Sequence, residues 1–375
     1  MRKIYLFVGI IASLWSCSNR LYTPEVQLPE GYSYTHGSDT SKIVVNQRWW
    51  EIFGDKTLNN LIEIALENNQ DAQAAYAKIE QARLQFKVDR ADYLPALSFD
   101  ISAEGEYNRE ELIVQEYTAW PTISWEISFF GAMKNTKKSA RAAYLANEYN
   151  YAATMLSLAA DVATTYFSLI EYRNSLEISR TTYISRRKSL DLIDSMVMYG
   201  MSTSLDLEQS KGLANSAAAS ISQYERLISQ TQVALSILLG VAPQNIESML
   251  EYSNSYKALP EEIPIGLPSD LLNRRPDIME TYASLEKAAA QVGIARAARY
   301  PTISLTASGG LLSSSAKKFV ATDPYALAWY GLASLAQPIF QFGKLKSNQR
   351  IAEKEYEIAG LSYTKSIISA FGDVD

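Results

Sequence analysis

From residue 96 to 107, apolar Leu97, Phe99, Ile101, Ala103 and Tyr107 alternate with Ser98, Asp100, Ser102, Glu104 and Glu106. Over 122–129, Ile123, Trp125, Ile127 and Phe129 alternate with Thr122, Ser124, Glu126 and Ser128. A period of two predicts strands with one apolar and one polar face. The device returns further on. Ile303, Leu305, Ala307 and Leu311 alternate with Thr302, Ser304, Thr306 and Ser308, and a partner strand over 326–337 sets Leu327, Trp329, Ala333 and Leu335 on one face. Two β-hairpins follow, at 95–130 and 301–342. Each strand has room for the roughly 9–11 residues that cross a bilayer, and Trp120, Trp125, Trp329 and Tyr330 suit an interfacial girdle. The soluble alternative is a pair of half-buried hairpins on an α+β core. It leaves the apolar faces without a second sheet to cover them. Four strands cannot close a membrane barrel, whose smallest examples have roughly eight. A spanning structure must therefore be shared among two, three or four copies.

Elsewhere the period is helical. Asp55 to Leu94 contains neither Gly nor Pro and is rich in Ala, Leu, Glu and Gln, which predicts one helix ended by Pro95. Ala132 to Tyr199 is free of Gly and Pro throughout; a helix of that length reaches about 100 Å. Tyr151, Met155, Leu158, Val162, Tyr166 and Leu169 recur at steps of four and three, a coiled-coil-like seam. Gly200 breaks the helix, and a return helix over 203–239 ends at Gly240. Residues 241–267 are punctuated by Pro243, Pro260, Pro264 and Gly266, as a connector is. Past the leader no run of 18 apolar residues occurs, so any crossing of a bilayer is expected from strands.

The chain also repeats itself. At an offset of 206, Leu66, Asp71, Ala77, Glu80, Ala91, Pro95, Ser98 and Ser102 meet Leu272, Asp277, Ala283, Glu286, Ala297, Pro301, Ser304 and Ser308. At 212, Gly131, Ala140, Tyr144, Tyr151, Asp161 and Val162 meet Gly343, Ala352, Tyr356, Tyr363, Asp373 and Val374. The unit is half a protein, far longer than a solenoid repeat. The expected organisation is a lipoprotein signal peptide at 1–16, a lipid-anchored segment at 17–54, a first repeat at 55–240 with its helical hairpin at 132–240, a connector at 241–267, and a second repeat at 268–375. Asp375 is the counterpart of Ala163, so the second repeat is expected to be incomplete by roughly 77 residues of helical arm.

Composition narrows the function. The 375 residues are 47% hydrophobic and 20% charged, with a net charge of −6, which gives no basic stripe for nucleic acid. Arg2 and Lys3 precede an apolar run from Ile4 to Ala12, as in a secretory leader. Leu14-Trp15-Ser16-Cys17 resembles a bacterial lipobox, with cleavage before Cys17 and acylation of it. Ser18, rather than Asp, follows, as in lipoproteins sent to the outer membrane. Cys17 is the sole cysteine, so no internal disulfide forms. With one histidine, His36, neither a zinc site nor a nucleophilic triad can be assembled. Gly309-Gly310 lies in strand-like sequence and forms no phosphate loop. Met196, Met198 and Met201 have the ligand chemistry for Cu(I), but methionines at a helix end more often pack. Arg274, Arg275 and Asp277 around Pro276 read as a helix start before they read as a charged site. Catalysis, cofactors and metals are not expected.

Several strings resemble one family closely: Trp49-Trp50-Glu51-Ile52-Phe53-Gly54-Asp55, Leu267-Pro268-Ser269-Asp270-Leu271-Leu272-Asn273-Arg274-Arg275-Pro276-Asp277-Ile278, Gly293-Ile294-Ala295-Arg296-Ala297-Ala298, and Pro338-Ile339-Phe340 before Gly343. They are similar to the TolC-like outer membrane efflux proteins, in the lipoprotein branch that works with RND pumps. The resemblance implies a mainly α fold with a membrane β-barrel contribution. Three copies would share a twelve-stranded barrel in the outer membrane and a periplasmic tunnel of long helical hairpins. It implies a homotrimer that contacts outer-membrane lipids, a periplasmic adaptor and an inner-membrane pump, and that passively exports what the pump delivers. Gly200, Met201, Ser202, Thr203, Ser204, Leu205 and Asp206 resemble the tip where the adaptor docks. On the residues alone the tip is a capped helical turn, with Gly200 as C-cap and Ser202 or Ser204 as N-cap. The alternatives are a truncated, non-conducting fragment and a structural periplasmic lipoprotein.

Overall fold

The computed structural model describes residues 48–108, 111–127, 130–250, 274–320 and 327–374. The expected leader, Cys17, His36, most of the connector and the start of the Leu267–Ile278 motif lie outside the described residues. In chain order the elements are α1 (Lys56–Asn68), α2 (Gln70–Ala91), β1 (Ala96–Asn108), β2 (Glu111–Ile127), α3 (Ala132–Met198), α4 (Ser204–Leu238), α5 (Ile246–Met249), α6 (Pro276–Ala297), β3 (Thr302–Ser313), α7 (Ala316–Val320), β4 (Leu327–Ala336) and α8 (Lys344–Val374). They fall into two units.

One unit is helical. Asp55 caps α1 by accepting from the backbone N–H groups of Thr57 and Leu58, and it also accepts from the Tyr166 hydroxyl at 2.9 Å. Leu58, Leu61, Ile62 and Ala65 of α1 pack with Leu158, Val162, Tyr166 and Leu169 of α3 and with Leu235 and Leu239 at the end of α4. The seam residues from Leu158 to Leu169 are thus the middle of this core. Each fully buried aliphatic side chain contributes about 1.5–3 kcal/mol relative to exposure. Salt bridges from Arg180 to Glu177 and Glu225 lie in solvent on α3 and α4.

One expectation changes here. The single helix over 55–94 is two helices, broken at Asn69, which is extended with φ −64° and ψ 130°. Its side-chain oxygen accepts from the N–H groups of Asp71 and Ala72, and its amide donates to the Leu238 carbonyl at 3.0 Å. One polar side chain starts α2 and ties off α4, while composition saw only good helix formers on both sides. The expectation that no helix crosses a bilayer bears on α3. Its 67 residues include an 18-residue window of mean hydropathy 1.3, apolar enough by composition to cross a membrane. At about 1.5 Å per residue the whole helix is far longer than a bilayer core. Leu158, Val162, Tyr166 and Leu169 of its apolar stripe are buried in the helical core.

The other unit holds the sheet. β1 to β4 lie in sequence order, every neighbouring pair antiparallel. In the same unit Leu285 and Val292 of α6 pack on Ala352 and Tyr356 of α8, and Ile278 packs on Ile367 and Ala370. Burial pushes the Tyr356 and Tyr363 phenols up, with the nearby Tyr282 adding to the effect.

Candidate functional site: a two-faced sheet and a helical tip

The register of the sheet follows the repeat. Leu97 pairs with Ile123, and their counterparts Ile303 and Leu335 pair with each other; Phe99 pairs with Pro121, and Leu305 with Ala333. Across the middle of the sheet, Trp125 pairs with Leu305 and Ile123 with Ala307. One face therefore carries Leu97, Phe99, Ile101, Ile123, Trp125, Ile303, Leu305, Leu327, Trp329 and Leu335. The opposite face carries Ser98, Asp100, Ser102, Thr118, Thr122, Ser304, Thr306 and Ser308. Hydroxyls cross-link this polar face, Ser102 to Thr118 at 2.6 Å and Thr122 to Ser308 at 3.0 Å. The apolar face is bare, with Trp329 87% exposed. Both edge strands, β1 and β4, have one unpaired side among the described residues.

The expected girdle divides between these faces. Trp125 and Trp329 stand on the apolar face. Trp120 pairs with Asp100 and Tyr330 with Ser308, so both stand on the polar side. Trp120 lies across Gly310, where an added Cβ would sit 2.3 Å from the Ala119 carbonyl oxygen and 2.7 Å from the Trp120 Cβ. Only glycine admits that approach. The ladder to β3 also lapses at Trp120 and Pro121, consistent with the N–H that Pro121 lacks.

At the far end of α3 the chain turns. Met201 N–H donates to the Met196 carbonyl at 2.8 Å and Gly200 N–H to Val197 at 3.0 Å, with Gly200 at φ +75°. This is a Schellman ending with Gly200 in the left-handed position. The N-cap of α4 is Thr203, between the two serines expected for that role. Its hydroxyl accepts from the Asp206 N–H, while the Asp206 carboxylate accepts from the Thr203 N–H at 3.0 Å and from the Ser202 hydroxyl at 3.0 Å. Thr203 wins because Asp206, three residues on, completes a reciprocal capping box. Hydrogen bonds from the Thr203 hydroxyl, the Thr203 backbone and the Ser202 hydroxyl hold the Asp206 carboxyl below its ordinary range. Around this closed polar turn, Met198, Tyr199, Met201 and Leu205 are bare; Tyr199 is 76% and Leu205 65% exposed.

The Arg275 region forms a structural joint. Arg275 donates from Nε and Nη2 to the two carboxylate oxygens of Asp277, at 3.1 and 2.8 Å, and from Nη2 to Asp373 at 2.7 Å. It clips the start of α6, where Pro276 occupies the first turn, to the end of α8. Burial works to raise the Asp277 carboxyl, but the hydrogen bonds and charge of Arg275 bring it below its usual range. No group of three or more His, Cys, Asp or Glu side chains placed to hold a metal occurs among the described residues.

A sheet with one bare apolar face, open at both edges, in a chain that also carries helices this long narrows the comparison to membrane conduits. The outer membrane efflux protein profile matches residues 61–241 and 267–375. The chain belongs to that family. The toluene efflux pump outer membrane protein TtgC of Pseudomonas putida is 31% identical over 369 residues, covering 94% of this chain and 74% of that protein. The probable outer membrane lipoprotein SilC of Salmonella typhimurium is 32% identical over 383 residues, covering 98% and 80%. The crystal structure of the Campylobacter jejuni CmeC outer membrane channel superposes with a TM-score of 0.83 at 25% identity, covering 94% of this chain and 78% of that one. This outer membrane efflux protein is a TolC-like channel component of an efflux system, located in the outer membrane. Its family is one of transport channels, not enzymes.

Proposed function

We propose that three copies of this chain close a single barrel in the outer membrane. In this arrangement the apolar face of β1–β4 meets lipid and the hydroxyl-rich face lines the conduit. The observation that carries the reading is the division of faces across four strands with open outer edges, interrupted on the hydroxyl-rich side by Trp120, Leu312, Tyr330 and Leu332. An open edge in lipid leaves backbone groups unpaired at a cost of several kcal/mol each, so the strands must close on something. Acylation of Cys17 anchors the chain beside the barrel. Transport is passive; a partner pump in the inner membrane supplies the energy.

The tip at Gly200, Met201, Ser202, Thr203, Ser204, Leu205 and Asp206 is the docking point of a periplasmic adaptor in this reading. Its shape supports this: a capped polar turn fixes the backbone and leaves Tyr199, Met201 and Leu205 pointing away from any core. The test is to replace Tyr199 and Leu205 with lysine and measure cellular efflux and adaptor co-purification together. The expected result is loss of both, with the oligomer in the outer membrane unchanged. Retained efflux and retained co-purification contradict the docking assignment.

A further inference from the structure

We infer that the β4 edge of one copy pairs with the β1 edge of a second copy in one definite register, set by the chain's internal repeat. This rests on the shared barrel proposed above and goes beyond it by naming the residues that meet. The two halves share a hydrogen bond at equivalent positions. Trp125 Nε1 donates to the Tyr93 carbonyl at 3.0 Å, and at the equivalent place Gln337 Nε2 donates to the Arg299 carbonyl at 3.1 Å. The residue types differ, but the backbone relation is the same.

The junction between β2 and β3 is therefore a template for the junction between β4 and the next β1. Stepping forward 212 residues from β2 and back 206 from β3 converts each observed pair into a junction pair. Ile123 with Ala307 becomes Leu335 with Ile101 of the second copy. Ala119 with Leu311 becomes Gly331 with Gly105 of the second copy. Thr122 with Ser308, joined by their hydroxyls at 3.0 Å, becomes Ser334 with Ser102 of the second copy. Both positions of that last pair keep a hydroxyl, so the polar link can be made again. In this register apolar residues face apolar ones, and a slip by one would turn Leu335 onto the polar face.

The same step gives a place to an exposed aromatic, Phe342, whose one ring contact within the described residues is Phe340, 4.7 Å away. After β2, Phe130 stacks on Tyr300 with ring centroids 4.6 Å apart and an interplanar angle of 15°. The counterparts are Phe342 and Leu94. Within one copy Phe342 is 92% exposed and Leu94 57% exposed. Phe342 is also the one described non-glycine residue with positive φ, 47°, a strained setting for a bulky side chain. In the junction Phe342 lies on Leu94 of the second copy, below the last strand pair.

The test is oxidative cross-linking of the full chain in outer-membrane vesicles, with each single-cysteine variant as a control for Cys17. Leu335→Cys is combined with Ile101→Cys, and Ser334→Cys with Ser102→Cys; of two adjacent antiparallel pairs, one is the closely spaced kind. Leu335→Cys with Phe99→Cys reports a two-residue slip. The expected result is a dimer and trimer ladder from a matched pair at least several-fold stronger than from the slipped pair. A ladder strongest for the slipped pair overturns the register and leaves the shared barrel standing. Monomer alone from every pair, in protein that also sediments as a monomer, overturns both. In parallel, Phe342→Ala is expected to lower the temperature at which the oligomer dissociates, with Phe342→Leu restoring most of it. An unchanged dissociation temperature removes Phe342 from the junction.

Discussion

The rings of Tyr282 and Tyr363 meet at a tilt of 55°, with centroids 5.6 Å apart. Their counterparts one repeat earlier, Tyr76 and Tyr151, meet at 5.9 Å and 64°. Each half thus ties its short helix to its long one with the same aromatic pair. Such pairs contribute about 0.5–1.5 kcal/mol beyond area burial. A double-mutant cycle on Tyr282→Leu and Tyr363→Leu, read by thermal unfolding in detergent, is expected to give a coupling of about that size. Additivity within error would show that the rings only fill space.

Asn69 carries the break between α1 and α2. Replacing it with alanine removes the cap and the bond to the Leu238 carbonyl together, with an expected cost of about 1–2 kcal/mol. Asn69→Ser keeps a capping oxygen but cannot span to Leu238, so its cost should be intermediate. Urea titration followed by circular dichroism orders the three proteins, and an undisturbed Asn69→Ala variant would refute the joint.

Two glycines separate backbone conformation from space. An added Cβ meets nothing within 4 Å at either Gly200 or Gly212. Gly200 holds φ +75°, so Gly200→Ala should cost about 1–2 kcal/mol. Gly212 lies inside α4 at an ordinary helical angle, and Gly212→Ala should stabilise by about 0.5–1 kcal/mol. Hydrogen exchange at the tip is expected to quicken roughly tenfold in the first variant, on the order of 1.4 kcal/mol per decade. It should slow in the second.

Asp206 and Asp277 both have carboxyls held below the ordinary value, the first by Thr203 and Ser202, the second by Arg275 against the opposing effect of burial. A depressed folded pKa means that the stabilisation is complete above the unfolded value, about 3.9, and is lost as pH falls through the folded one. Tip capping and the α6–α8 clip should therefore be constant from neutrality down to about pH 5 and weaken only in stronger acid. Exchange rates at the tip measured across that range check the direction. Weakening between pH 7 and 5 would point to another group.

The strands were the most legible part of the sequence, because alternation survives whatever the far side of the sheet meets. Leu97 to Ile101 and Ile303 to Leu305 take the faces their period assigns. The buried seam of α3 was legible for the same reason, since Leu158, Val162, Tyr166 and Leu169 recur on one stripe. The break at Asn69 was hidden because it depends on the Leu238 carbonyl, 169 residues away. Trp120 and Tyr330 fall on the other face from Trp125 and Trp329 because strand parity, not aromatic type, sets the face, and Gly310 leaves the space that Trp120 takes. At the tip, Ser202, Thr203 and Ser204 are all able caps. The choice fell to the one whose third neighbour, Asp206, reaches back.

A sheet that forms a barrel wall has a lipid side and a water side. Single cysteines at Leu97, Phe99, Ile101, Leu305 and Leu335, and at Ser98, Asp100, Ser102 and Ser304, can carry a fluorophore in outer-membrane vesicles and be quenched from lipid or from water. The expected pattern is a period of two: the first set quenched by lipid-borne nitroxide, the second by aqueous iodide. Uniform quenching from the aqueous phase along all four strands would mean that this sheet does not cross the membrane.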